Sequence, residues 1–511
     1  MQELTFPVNV KAPASCLYAA LFHRANTLLL ESADPGSLQH KQSLIGIDAA
    51  LKCTVRGRTV TVSALTDNGA ALLEMLTARF KGAECSGRTL KVTFPEPQTG
   101  LNERERLLSP HPVDVLSALQ AGVRPLTHLF MAGNISFDFI TAFEKVEGFE
   151  ALPDTGEPLL NLLVFETALT LDHQKGESYL SVADFTPANT FLGSLVTRAQ
   201  LLRESCEKLS AEPDMTAVQP ADLSAVRRSV SDADFENLVL TLREHILAGD
   251  VFQVVPARTF SAPCPDPLLA YRILSAANPS PYMFFFEGEK HCLFGTSPEF
   301  ALRYEAPSRQ VFISPIAGTR PRALRSDGTV DHVIDSRVEL ELRTNQKELS
   351  EHIMLVDLAR NDLARIALPG TTEVARLLYV AHYQHVMHLV TDVKATLRPD
   401  LDALHAYLSV MNMGTLSGAP KLKAHELIYR YEGKRRGAYG GTMVRLMADG
   451  SLDSCIVIRS AEVKEGTAYV SAGCGVTLNS VPADETQETF FKARAVLNAL
   501  VLAAEHTATE Q

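Results

Sequence analysis

The chain has 511 residues, with 48 Lys plus Arg against 60 Asp plus Glu for a formal net charge of −12, and it holds no tryptophan beside 23 Phe and 12 Tyr. A hydrophobic share of 46% and a charged share of 21% belong to a globular protein and exclude a disordered, collagen-like or low-complexity chain. The acidic balance excludes nucleic-acid binding as a leading reading, because phosphate neutralisation needs concentrated Lys and Arg, and the densest basic run, Lys434-Arg435-Arg436, reads as a solvated loop.

Met1 to Thr5 lacks the cationic start of a secretory signal, and no apolar run approaches the roughly 18 residues of a membrane span. Eight scattered cysteines (16, 53, 85, 206, 264, 292, 455, 474) without a CxxC pair predict reduced thiols and a cytoplasmic protein. The length predicts two to four domains at about 150 residues each.

In chain order, Leu51 to Leu65 alternates around Arg56-Gly57-Arg58, with Cys53, Val55, Val60 and Val62 on one face, which predicts a hairpin. Asn68-Gly69 opens a predicted helix over Ala70 to Phe80. Pro95–Gly100 and Pro153–Pro158 read as loops. Ala211 to Ser224 carries two prolines and little periodicity, and places a linker at 211–228 between an N-terminal domain, 1–210, and a second domain, 229–511. The second part opens on Ser231 and Asp234 as a capping pair. Phe235, Leu238, Val239, Leu242 and Ile246 then form one apolar helical face, and Gly249 stops the helix. Val251 to Val255 is a predicted strand. Cys455–Ile458, Val463 and Ala468–Val470 predict strands around a turn at Lys464–Thr467. A last helix runs from about Ala483 to Ala504, its core face made by Phe490, Ala493, Leu497, Leu500 and Val501.

Two segments repeat one spacing of acids: Glu348, Glu351 and His352, then Glu485, Glu488 and Lys492. Residues three or four apart share a helix face. If the two faces oppose each other, four carboxylates meet across a cleft, an arrangement suited to Mg²⁺. Glu348 also reads as the N3 partner of an Asn345 cap, and Glu485 as a first-turn acid. Gly414–Lys421 fails as a phosphate loop, since only three residues separate its glycines and Ala-Pro precedes Lys421. Gly473-Cys474-Gly475 after a strand permits either a bulge or close approach to a ligand. Gly318 and Thr319 offer an N–H and a hydroxyl to a carboxylate. His388, in an apolar strand, reads as a core residue, and His425-Glu426 lacks the second His of a zinc motif.

Taken in order, Ser297-Pro298-Glu299, Pro315–Thr319, Lys347–Asp362 (KELSEHIMLVDLARND), His388, Gly414–Lys421, Tyr439-Gly440-Gly441, Cys455–Arg459, Gly473–Gly475 and Glu485–Lys492 closely resemble the chorismate-utilising enzymes of the anthranilate synthase component I type. The resemblance covers nearly the whole chain and is most specific from about Ser229. It implies an α+β fold in which antiparallel sheets form a sandwich flanked by helices, with the active site in the central cleft. It implies a lyase reaction: chorismate and ammonia give anthranilate and pyruvate with Mg²⁺, the first committed step of tryptophan synthesis. By the resemblance, Glu351 and Glu488 are the direct metal ligands, and Glu348 and Glu485 act through water. Gly318, Thr319, Gly473, Cys474 and Gly475 hold the substrate; Tyr439, Arg459 and Lys492 bind its oxygens. Glu299 is the acid for the leaving hydroxyl, kept protonated by burial beside other acids. His388 assists pyruvate elimination, and Thr319 stands with these two as a catalytic residue.

Related aminodeoxychorismate synthases often carry Lys where this chain has Ala317, and isochorismate and salicylate synthases place a base Lys where it has Gln253; both positions favour ammonia as the nucleophile. No G-x-C-x-G-x-Q stretch is present, so the resemblance implies a separate glutamine amidotransferase subunit, component II, and a hetero-oligomer. Leu28–Ser32 resembles the segment that binds the feedback inhibitor L-tryptophan; Glu31, Ser32, Pro281, Tyr282, Met283 and Cys455 are its inhibitor-binding residues. LLLES also reads as a core strand with a polar end. The rival readings are an aminodeoxychorismate synthase component I and a non-catalytic tryptophan-binding subunit.

Overall fold

A computed structural model describes residues 1–32, 42–96, 100–210, 221–325, 329–383 and 386–510. The hairpin forms as the alternation demands. Strands Gln42–Arg56 and Thr59–Ala64 pair with Val55 opposite Val60, and Gly57 takes φ +54° in the two-residue turn. Cys53, Val55, Val60 and Val62 are fully buried. The next helix starts earlier than predicted, at Asp67–Arg79, because the Thr66 side chain accepts from the Gly69 N–H and caps it.

Ser231 caps helix Asp232–Leu247 by accepting from the Asp234 N–H, and Phe235, Val239 and Leu242 are buried. Gly249 follows at φ +84°. The strand predicted over Val251–Val255 shrinks to Gln253–Val254, paired with Gly418–Ala419; Phe252 points outward at 71% exposure. Near the C-terminus, strands Leu452–Ile456, Ser460–Lys464 and Thr467–Gly473 form, and Glu465 and Gly466 make the last turn at φ +49° and +74°. The final helix, Pro482–Glu510, buries Ala493, Leu497 and Leu500.

The fold is α+β with antiparallel pairing throughout. Thr27–Glu31 joins the two halves of the chain: it pairs with Gln42–Arg56 on one side and with Tyr282–Glu287 on the other. Phe130–Ile135 likewise pairs with Thr442–Met447. The two layers so formed face each other across Leu28, Leu44, Phe165, Phe284, Phe286, Met443 and Cys455. Residues 211–220 of the expected linker lie outside the described residues; downstream, Arg227–Arg228 pairs with Phe260 and Ser261.

Lys434-Arg435-Arg436 is not a solvated loop. Arg436 is buried, donates to Leu416 O at 2.7 Å, pairs with Glu432 and lies over the Phe137 ring, while Lys434 donates to Thr259 Oγ1 at 2.6 Å. The carboxylate of Glu432, the last residue of helix Lys421–Glu432, is what permits this burial. Among the described residues all eight cysteines are unpaired, and no helix is long and apolar enough to cross a membrane.

Candidate active site

A cleft of about 480 Å³ opens where helix Gln346–Ala364, strand Ile316–Pro321, the end of strand Thr467–Gly473 and the first turns of the C-terminal helix converge. Asn345 caps the first helix by accepting from the Glu348 N–H at 3.1 Å. That cap sets the helical phase, so Glu348 and Glu351 both line the cleft, opposite Glu485 and Glu488. His352 does not join them. It is buried, and its Nε2 lies 2.6 Å from Thr391 Oγ1; burial pushes its pKa down to about 4.

Two lysines balance the acids. Lys347 Nζ is 3.2 Å from Glu485 Oε1 and 4.0 Å from Glu351 Oε1. Lys492 Nζ is 2.6 Å from Glu488 Oε1 and 3.0 Å from Gly473 O. Glu348 takes a third cation, Arg320, at 3.0 Å. Burial among these acids raises Glu351 to about 7, with Lys347 pulling the other way. Glu488 keeps 43% side-chain exposure because it lines a cleft, yet it lies deep among protein atoms. Burial pushes its pKa up, but Lys492, Lys347 and Arg459 outweigh that and hold it below the usual range. Among the described residues, Glu351 Oε1 is buried without a hydrogen-bond partner.

Glu299 sits on the opposite wall, between strands His291–Ser297 and Phe300–Glu305. Its carboxyl is raised to about 8 by burial. The expectation that other acids would do this is corrected: the nearby charges, Lys492 and Arg459, are cationic and oppose the shift, so desolvation alone wins. Thr415 Oγ1 donates to Glu299 Oε1 at 3.2 Å.

Thr319 Oγ1 and His388 Nδ1 lie 2.9 Å apart. Burial, with Arg459 nearby, lowers His388 to about 4, so its ring is neutral at physiological pH. His388 is therefore both a core residue of its strand and a wall of the cleft. Gly318 holds φ +76°, and a Cβ there would meet Leu342 at 2.8 Å and Glu348 at 2.9 Å. Tyr439, Arg459, Gly473, Gly475, Ala317 and Gln253 also line the cleft. Cys474 does not line it: its side chain is fully buried and its N–H donates to Pro256 O at 3.2 Å. Lys347 and Thr415 received no role from sequence, although both stood inside quoted motifs; which neighbour each meets is set by chain segments far away.

A second cavity of about 290 Å³ lies between the sheet layers, lined by Leu30, Glu31, Tyr282, Met283, Met443, Arg445, Asp453 and Cys455. The register places Met283 opposite Glu31 and Cys455 opposite Met443. Glu31 accepts from Tyr271 Oη at 2.6 Å, and Tyr282 Oη donates to Asp453 at 2.9 Å. Ser32 and Pro281 are not among the lining residues. Arg445 and Asp453 were not anticipated; they sit on a strand pair whose neighbour across the layers no local pattern reveals.

The family model for chorismate binding enzymes matches residues 70–498. The chain is 48% identical to anthranilate synthase component 1 of Salmonella typhimurium over 498 residues, 95% of this chain and 94% of that one. It is 46% identical to the same component of Escherichia coli, again over 95% and 94%. Among solved structures, anthranilate synthase component I from Streptococcus pneumoniae shares the fold with a TM-score of 0.68 at 24% identity, covering 95% of this chain and 97% of that one. The menaquinone-specific isochorismate synthase of Escherichia coli does so with a TM-score of 0.64 at 15% identity, over 98% and 94%.

Proposed function

The chain belongs to the chorismate-binding enzymes, in the anthranilate synthase component 1 family, and from that premise we infer that its cleft converts chorismate and ammonia to anthranilate and pyruvate. The observation that carries this reading is the pairing of one carboxyl held protonated near neutral pH, Glu299, with four acids on the facing wall of the same cleft. Arg459, with a planar fork suited to carboxylates, Lys492, Tyr439 and the Gly473 and Gly475 backbone hold the substrate's oxygens. Glu299 gives its proton to the 4-hydroxyl as that group leaves and ammonia adds to the ring. Neutral His388, oriented by Thr319, then assists removal of the ring proton as pyruvate departs. Gln253 and Ala317 supply no basic amine, which leaves ammonia as the nucleophile and disfavours both the aminodeoxychorismate and the isochorismate chemistries.

The acid cluster fits Mg²⁺. Its donors are hard carboxylate oxygens, and among the described residues the buried Glu351 Oε1 has no hydrogen-bond partner, only Lys347 at 4.0 Å. Glu351 and Glu488 would be the direct ligands, with Glu348 and Glu485 acting through water. A bound ion would supply positive charge to the substrate's ring carboxylate. Ammonia comes from a component II amidotransferase in a hetero-oligomer in the cytoplasm.

The second cavity suits L-tryptophan. Glu31, Asp453 and Arg445 offer both signs of charge to an amino acid's ends, and Tyr282, Met283 and Cys455 offer an apolar wall. The chain reads as parts 1–210 and 229–511 joined at 211–228, and this cavity draws on both parts. It communicates with the cleft through one strand: from Cys455, the chain reaches Ile456, whose N–H donates to Glu299 O at 3.0 Å, and then Arg459. A non-catalytic binding subunit would have no use for the acids, Lys492 and His388 retained here.

Incubating the pure chain with chorismate, Mg²⁺ and ammonium is expected to yield anthranilate fluorescence. Accumulation of 4-aminodeoxychorismate or isochorismate in its place rejects the reading.

A further inference from the structure

Away from both cavities, two helix starts face each other. His111 precedes helix Val113–Gly122 and Asp114 stands in its first turn; Asp402 caps helix Ala403–Val410 and His405 stands in its first turn. One ligand atom from each of His111, Asp114 and His405 lies within 4.8 Å of the other two, and the two ring centres are 5.6 Å apart.

His111 is 2% exposed. Its Nε2 is 3.1 Å from Leu107 O, a group that only accepts, so in the neutral ring this nitrogen carries the proton. Nδ1 then presents a bare lone pair. Among the described residues it has no hydrogen-bond donor, although an Asp114 carboxylate oxygen is 2.9 Å away. A lone pair and a carboxylate oxygen at that distance repel unless positive charge lies with them. His405 is arranged the opposite way round. Its Nδ1 lies 2.6 Å from Asp402 Oδ1, closer than the 3.4 Å approach of the Asp402 N–H, so in the neutral ring Nδ1 carries the proton and Nε2 holds the lone pair. A ring nitrogen held by a carboxylate or carbonyl while the other is bare is how metal-binding histidines are oriented.

We propose that His111, His405 and Asp114 form a binding site for one divalent transition ion of the zinc class, with Leu107 O and Asp402 holding the two rings. Two imidazoles and a carboxylate suit such an ion and leave a fourth position for water. His405 and Asp114 are only half-buried, which gives the ion a path in. The ion would clip the N-terminal part to the catalytic part beside the Arg104–Asp400 pair, at 3.0 Å.

The test uses the full chain, stripped of metal and held in excess Mg²⁺ so that the active-site acids are occupied by a hard ion. Cobalt(II), followed by its visible ligand-field bands, and zinc, followed by calorimetry, are expected to bind at one ion per chain. His405→Gln and Asp114→Asn should each lose that binding. Asp402→Asn, which preserves the helix cap, should weaken it by about 10- to 100-fold. All three should make anthranilate at the parent rate when supplied with Mg²⁺ alone and should keep the parent circular dichroism. No cobalt or zinc uptake by the parent chain overturns the proposal and leaves a protonated His111 paired with Asp114; equal uptake by folded His405→Gln and Asp114→Asn overturns it too.

Discussion

Glu299 acquires its chemistry from burial. Its pKa rises from 4.5 to about 8, so the folded state holds a proton that the unfolded chain releases. For a raised acid, the stability it contributes is complete below pH 4.5 and is lost as pH climbs through about 8. Activity that needs the protonated carboxyl should decline over the same upper limb. We expect kcat/KM to fall above pH 8, and the denaturation midpoint to fall between pH 5 and pH 8, both read across a buffered series. Glu299→Gln should flatten the stability profile and remove turnover. Glu488→Ala should abolish Mg²⁺-dependent anthranilate formation; normal turnover by that variant would withdraw the metal assignment. Arg459→Lys forfeits a two-pronged contact to a carboxylate, each charged hydrogen bond being worth about 1.5–3 kcal/mol. A rise in KM of about tenfold or more is the expected reading.

Each element takes its place from local signals and its function from where those signals phase it. The Asn345 cap brings Glu348 and Glu351 onto one face and turns His352 into the core. That distinction was illegible from the spacing, since 348, 351 and 352 all share a helical side; the hydroxyl of Thr391 on a distant strand decided it. Gly318 shows the reverse case, where a single residue serves the element. Its positive φ strains any side chain, and a methyl there would push aside the side-chain ends of Leu342 and Glu348. Gly318→Ala is expected to destabilise by about 2–4 kcal/mol, combining left-handed strain with overpacking, and to lower activity through the shifted Glu348; thermal melts and the anthranilate assay check both. The short Gln253–Val254 strand and the buried Arg436 departed from expectation for one reason. Each is governed by a partner remote in sequence, Gly418–Ala419 for the first and Leu416 with Phe137 for the second.

At the scale of the whole molecule, Thr27–Glu31 inserts an N-terminal strand beside Tyr282–Glu287, and the second cavity forms where these layers face Thr442–Met447 and Leu452–Ile456. Inhibition across this frame requires tryptophan to bind one conformation better than another. Ser32→Ala and Met283→Ala are expected to weaken tryptophan inhibition while leaving turnover without tryptophan intact, measured by titrating the inhibitor against each protein. Unchanged inhibition in both would remove the Leu28–Ser32 assignment. Because the chain has no tryptophan, indole emission in such titrations belongs wholly to the ligand.

The sequence by itself determined the local elements, the caps at Ser231 and Asn345, the hairpin at Gly57 and the residue types of the cleft, because periodicity and turn chemistry act within a few residues. Its ordered motifs also pointed to the family. Only the tertiary structure decided that desolvation raises the Glu299 carboxyl, that Lys347 bridges towards Glu485, that Cys474 is fully buried, and that His111 meets His405. Those outcomes depend on burial and on pairs of residues far apart in the chain; both quantities come into being only when the layers close.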